Sequence, residues 1–139
     1  MTDCAMCRII TNREGVDFIA ELPHSVALLN WQQHYRGRAL VVLKRHATDL
    51  TALPAEEMAG FTEDMRRVAR AIAAVFQPAR LNYAILGNAD PHLHWHIYPR
   101  YPDDGNFGGP PWPSPDSSIA PEDVRRRHAA RIRAALAQA

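Results

Sequence analysis

Three of the seven histidines in this 139-residue chain fall in one short stretch, Pro91-His92-Leu93-His94-Trp95-His96-Ile97-Tyr98-Pro99-Arg100. Side chains alternate across a β-strand, so His92, His94 and His96 would share one face, about 7 Å apart, with Leu93, Trp95 and Ile97 on the other. Imidazole serves as nucleophile, base, hydrogen-bond donor or metal ligand near neutral pH. Two chemistries follow from the residues alone. Two or three imidazoles could bind a catalytic metal, with Asp90 and His34 as the available further ligands. Alternatively one imidazole could attack phosphorus or a carbonyl, with His96, Asn88 and backbone amides as donors to the developing anion. A ligand-binding protein without turnover is a third reading, and spacing does not choose among them. Cys4-Ala5-Met6-Cys7 offers a second set of ligands, read as a redox couple, as half of a zinc site seeking two histidines, or as incidental thiols at an unstructured end.

Length and composition limit what can carry this chemistry. At 139 residues with 47% hydrophobic side chains, the chain fits one domain with a single core. Sixteen basic residues balance fifteen acidic ones, which argues against a nucleic-acid surface and leaves a small anionic ligand open. No apolar run is long enough to span a membrane, and Met1-Thr2-Asp3-Cys4 lacks a secretory pattern, so the expected location is the cytoplasm without membrane association.

The elements that must position the histidines can be read in order. Residues 15–21 and 25–30 form a strand pair around Leu22-Pro23-His24, and Ala39–Leu43 is an apolar, β-branched run expected of a buried strand. Lys44 and Arg45 beyond it read as a solvated loop. From Pro54 to Pro78 the apolar residues Met58, Phe61, Met65, Val68, Ile72, Val75 and Phe76 recur at helical spacing, with Asp64 among the polar residues off the stripe. Residues 81–86 form another strand, and Gly87–Pro91 a tight connection into the histidine strand. The expectation is an α+β domain: about five mostly antiparallel strands, one long helix after the third covering one face, and the histidine face open to a ligand. Residues 1–100 would hold the catalytic unit. Residues 101–139 would add a Pro/Gly-rich extension and an amphipathic helix carrying Val124, His128, Ile132 and Leu136, packed on the same domain or on a partner subunit, with its arginines solvated and His128 incidental.

His92-Leu93-His94-Trp95-His96-Ile97-Tyr98 resembles the signature of the histidine triad (HIT) superfamily of nucleotidyl hydrolases and transferases. Gly37–His46 resembles that family's third strand, which ends in a lysine and a histidine, and Cys4-Ala5-Met6-Cys7 its N-terminal cysteine pair. Gly87-Asn88 and Pro99-Arg100 resemble a bacterial branch related to diadenosine polyphosphate hydrolases. The resemblance covers roughly residues 4–100. It implies that His94 attacks the α-phosphorus of a dinucleoside polyphosphate or related conjugate to form a nucleotidyl-histidine, and that His96 donates to the phosphate. It implies further that a carbonyl fixes the His94 tautomer, that Asn88 contacts phosphate, and that Asn30 holds the ribose. Cys4, Cys7, His46 and His92 would bind a structural zinc; no organic cofactor is implied, and a homodimer is. Where many members have a histidine after the glycine of the third-strand motif, this chain has Arg38, which could meet phosphate bidentately.

Overall fold

A computed structural model describes residues 4–138; Met1–Asp3, part of the stretch read for a secretory pattern, and Ala139 lie outside the described residues. Five strands form one antiparallel sheet: β1 (Phe18–Glu21), β2 (Ser25–Leu29), β3 (Ala39–Leu43), β4 (Arg80–Ala84) and β5 (His94–Arg100), in the order β1-β2-β3-β5-β4. β2, apolar but for Ser25, and β3, apolar throughout, are buried at every position. β5 lies between β3 and β4, with His94 opposite Val42 and His96 between Leu40 and Ala84. The histidine strand is therefore held from both sides by backbone ladders.

One sheet face is covered by α2 (Ala55–Phe76) and α3 (Glu122–Ala137). Leu93 and Ile97 are buried in that core with Phe61, Val68 and Ile72, and Trp95 packs against it with its ring centroid 5.9 Å from that of Phe61. Pro54 takes the N-cap position of α2, Glu56 and Glu57 follow at the positive end of the dipole, and Gln77 closes the helix in a left-handed conformation. Asp64 departs from the expected pattern. It is 2% exposed, because its carboxylate accepts from His24 N at 2.8 Å and Ser25 Oγ at 2.6 Å, pinning the β1–β2 turn to the helix.

Several boundaries differ from the sequence reading. Residues 4–10 are not an unstructured end: Cys4 Sγ accepts from Cys7 N and caps a short helix α1 (Ala5–Ile9). Met6 and Ile10 then bury a second cluster with Val26, Leu28, Leu40 and Val42, so the histidine face is partly covered rather than fully open. β1 begins at Phe18, after turn structure at 13–17. β4 ends at Ala84, so the connection to β5 runs over residues 85–93 and is longer than a tight turn, with His92 just before the strand.

The C-terminal segment packs on the same chain. Arg100 is 2% exposed and bonds Asp104, Asn82 Oδ1 and the carbonyls of Asn106 and Gly109, which folds the Pro/Gly-rich run back on the sheet. α3 buries Ala129, Ile132 and Leu136. Its arginines are not all solvated: Arg125 pairs with Asp17 at 2.9 Å and Arg133 donates to the carbonyls of Ile19 and Phe18, because α3 crosses the edge of β1. Lys44 and Arg45 are surface groups, paired with Glu21 and Glu57. No helix among the described residues is long and apolar enough to cross a membrane.

Candidate active site and metal centre

His94 and His96 project from β5 into a cavity of about 680 Å³. Its walls come from α1, the end of β2 with Asn30 and Trp31, and the 86–90 connection with Asn88 and Asp90. The walls are largely apolar, and Trp31 and Leu86 stand exposed on the rim. Such a concave, mostly apolar site with a few converging polar groups is the usual form of a small-molecule pocket.

The protonation of the pair follows from its partners. His94 Nδ1 lies 2.7 Å from the His92 carbonyl, which can only accept, so Nδ1 carries the proton and Nε2 presents its lone pair. His96 Nε2 is 3.1 Å from His94 Nε2 and must be the donor of that contact. His96 is pulled down to about 4, chiefly by burial and then by the charges of His94 and Arg38, so it is neutral at neutral pH. The site therefore holds an imidazole with a free, oriented lone pair next to a neutral N–H donor, both facing the cavity.

Tyr98 continues the same face. Its ring stacks on His96 at 5.7 Å and 15°, and the Arg38 guanidinium lies 4.5 Å from the centroid of the Tyr98 ring, donating to Tyr98 Oη and Gln32 Oε1. Arg38 does not line the cavity, because this stacking holds it beside Tyr98. Asn30 lines the cavity with its side-chain oxygen accepting from Gln32 N at 2.9 Å, and Asn88 lines it from an exposed turn. His34 is elsewhere, bonded to the Asp104 carbonyl. The period-two pattern of β5 extends to Tyr98 and could have named it; nothing local pointed to Trp31.

The first triad histidine faces a different group. His92 is fully buried, and its Nε2 donates to the Leu43 carbonyl at 2.6 Å, leaving Nδ1 as a lone-pair donor. That Nδ1 lies 3.4 Å from both Cys4 Sγ and Cys7 Sγ and 3.3 Å from His46 Nδ1, while Cys7 Sγ and His46 Nδ1 are 3.4 Å apart. A tetrahedral zinc with Zn–S near 2.3 Å and Zn–N near 2.0–2.1 Å would place sulfur and nitrogen about 3.5 Å apart and two nitrogens about 3.3 Å apart. The four donors fit such an ion. The carbonyl behind His92 supplies the outer hydrogen bond that orients a ligating imidazole. Among the described residues this is the one cluster of three or more His, Cys, Asp or Glu able to hold a metal, and it includes neither His94, His96 nor Asp90.

The HIT domain model matches residues 13–103. The chain belongs to the HIT domain family. Among its relatives is an adenosine 5'-monophosphoramidase of Schizosaccharomyces pombe, 30% identical over 129 residues that span 88% of this chain and 90% of that one. A zinc-bound histidine triad family protein from Mycobacterium smegmatis has a similar structure, with a TM-score of 0.74 and 29% identity over 99% of this chain and 95% of that chain. A histidine triad protein from Bradyrhizobium japonicum aligns with a TM-score of 0.78 and 27% identity, covering 86% and 89% of the two chains. The five-stranded antiparallel α+β architecture is the HIT fold, and the extension from Asp104 onward lies outside the matched stretch.

Proposed function

We propose that this HIT protein is a nucleotidyl hydrolase or transferase that cleaves nucleotide conjugates at the α-phosphorus through a covalent histidine intermediate. The observation that carries the reading is the His94 tautomer: Nδ1–H is held by the His92 carbonyl, and the Nε2 lone pair faces the cavity beside the His96 donor. His94 Nε2 attacks phosphorus, forming an N–P bond as the bond to the leaving group breaks; that group departs with the electron pair and takes a proton. His96 Nε2–H shifts its hydrogen bond from His94 to a non-bridging oxygen as charge builds there, where a fixed donor contributes most. Water then cleaves the N–P bond and releases a nucleoside monophosphate. Asn30 would hold the ribose and Asn88 would meet the phosphates, since both line the cavity, while Arg38 would reach the phosphate only by leaving its stack on Tyr98.

Adenine nucleotides joined through phosphorus to nitrogen, or dinucleoside polyphosphates, are the substrate class. The monophosphoramidase among the relatives supports the first and the large, open cavity is compatible with the second. Cys4, Cys7, His46 and His92 are proposed to hold a structural zinc: four protein donors leave no position for a reacting water. A homodimer is part of the same reading, since β4 is an edge strand with Tyr83 exposed on it and Leu86 just beyond.

The test is a panel of adenosine phosphoramidates and dinucleoside polyphosphates given to wild type and His94→Asn, with enzyme quenched in denaturant at alkaline pH, where an N–P bond survives, and weighed by mass spectrometry. Wild type should yield the monophosphate and a nucleotidyl adduct, and the variant should be slower by at least ~10³-fold, as for other nucleophile knockouts. A variant within a few-fold of wild type would remove His94 from the nucleophile's role.

A further inference from the structure

The loop between β2 and β3 carries Asn30 and Trp31 at one end and Arg38 at the other, and residues beyond β5 grip it along nearly its whole length. Trp31 O accepts from Ala120 N at 2.9 Å, His34 Nε2 donates to Asp104 O at 2.6 Å, Tyr35 Oη donates to Asn106 Oδ1 at 2.7 Å, and Arg36 O accepts from Tyr101 Oη at 2.6 Å. At the centre is Gln33, 8% exposed. Its amide NH2 donates to the carbonyls of Asn30 and Arg38 at 2.9 and 3.0 Å, tying the two ends of the loop together. Its Oε1 accepts from Gly37 N at 2.9 Å and from His128 Nδ1 of α3 at 2.7 Å. Because the amide nitrogen is committed to carbonyls, Oε1 must face His128, which therefore carries its proton on Nδ1. Gly37 has φ of +90°, and a Cβ there would lie 2.7 Å from the Phe76 ring, so the loop has one way to close.

We propose that Gln33 is the positioning residue of the nucleotide-binding loop, and that the C-terminal extension, through His128 and Tyr101, sets where Asn30 and Trp31 stand against the bound nucleoside. The proposal rests on the nucleotide reading of the cavity. It assigns to residues beyond β5, His128 outside the matched HIT stretch and Tyr101 near its end, a part in substrate affinity, separate from the chemistry on β5, whose histidines are held by the β3 and β4 ladders. An extension serving only stability would lower the melting temperature and leave the kinetics of the folded enzyme alone.

Full-length His128→Leu removes the donor to Gln33, His128→Asn keeps an N–H near the place of Nδ1, and Tyr101→Phe removes only the hydroxyl on Arg36 O. With the substrate that wild type turns over best, His128→Leu and Tyr101→Phe should each raise KM roughly fivefold, the effect of one neutral hydrogen bond, with kcat within about twofold. His128→Asn should restore KM to within about twofold of wild type. KM at the wild-type value in both His128→Leu and Tyr101→Phe, with only the melting temperature lowered, overturns the proposal; should His128→Leu not fold, Tyr101→Phe decides alone. Calorimetric titration of wild type with AMP separates the two levels. Wild type that neither binds AMP nor turns over any substrate removes the nucleotide reading and this inference together, whereas AMP binding of equal strength in wild type and both variants removes this inference only.

Discussion

Stripping the metal from Cys4, Cys7, His46 and His92 should detach α1 while the sheet stays folded, and the sizes of the competing terms decide it. α1 has five residues, far short of the ~12–15 that a helix needs to persist alone. Its apolar anchors are Met6 and Ile10, each 7% exposed. Burying two such side chains contributes about 3–6 kcal/mol, whereas ordering five residues of backbone costs about 5–10 kcal/mol. Docking by apolar contact alone thus falls short by a few kcal/mol, and two thiolate bonds to the proposed ion, shared with His46 and His92, would make up the difference. The assay is amide hydrogen exchange over residues 5–9 in protein purified with zinc and in protein stripped by a strong chelator. Exchange in α1 should rise by two or more orders of magnitude on stripping, given a few kcal/mol of lost docking energy, while β3 and β5 stay protected. Because Ala5, Met6 and Ile9 wall the cavity, nucleotide affinity should fall in parallel. Equal protection of α1 with and without metal would refute the reasoning.

Two further outcomes follow from buried charge and buried imidazole. Arg100→Leu leaves Asp104, itself 3% exposed, without its partner, so chemical denaturation should show a loss of about 3–5 kcal/mol; a loss below ~1 kcal/mol would mean that the Pro/Gly-rich run does not depend on this cation. His96, held near 4 in the folded state against the ordinary 6.5, binds fewer protons folded than unfolded between those values. Its contribution is therefore complete above pH 6.5 and is lost as the pH falls toward 4, by an amount of order 2 kcal/mol. Denaturation of wild type and His96→Phe at pH 7 and pH 4.5 measures the difference directly, and parallel curves would count against a neutral His96.

What could be read before folding was whatever repeats with a local period. The alternation in 92–98 separates Leu93, Trp95 and Ile97 from the histidines, and the α2 stripe from Met58 to Phe76 gives the covering helix; both are properties of neighbours in the chain. Asp64 escaped that logic because its partners, His24 and Ser25, lie some forty positions away, and a carboxylate among polar residues gives no local sign of burial. α1 escaped it because five residues carry too little periodicity and its cap is a cysteine thiol. Arg125 and Arg133 look like a solvated face until α3 is laid across β1, and only then do Asp17 and two strand carbonyls become their partners. Gln33 is the extreme case, a residue with no motif whose place depends on five groups from 30, 32, 37, 38 and 128.

The three histidines look equivalent in a strand diagram, yet one residue separates their work. His92 turns its ring to the cysteines and donates to Leu43 O on one side, while its own carbonyl takes the His94 Nδ1 proton on the other. Bonds on both ring nitrogens pin residue 92 between β3 and the cluster of Cys4, Cys7 and His46, and its carbonyl in turn orients the His94 imidazole. The Nε2 atom of His94 presents its lone pair without a base, because its proton is already on the far nitrogen, and its neighbour His96 is kept neutral by burial. Leu93, Trp95 and Ile97 hold the opposite face against α2, so β5 has no freedom to trade one histidine's place for another's. The alternation thus makes three identical side chains do different things by giving each a different set of neighbours from β3, α1 and the loop before β4's partner strand.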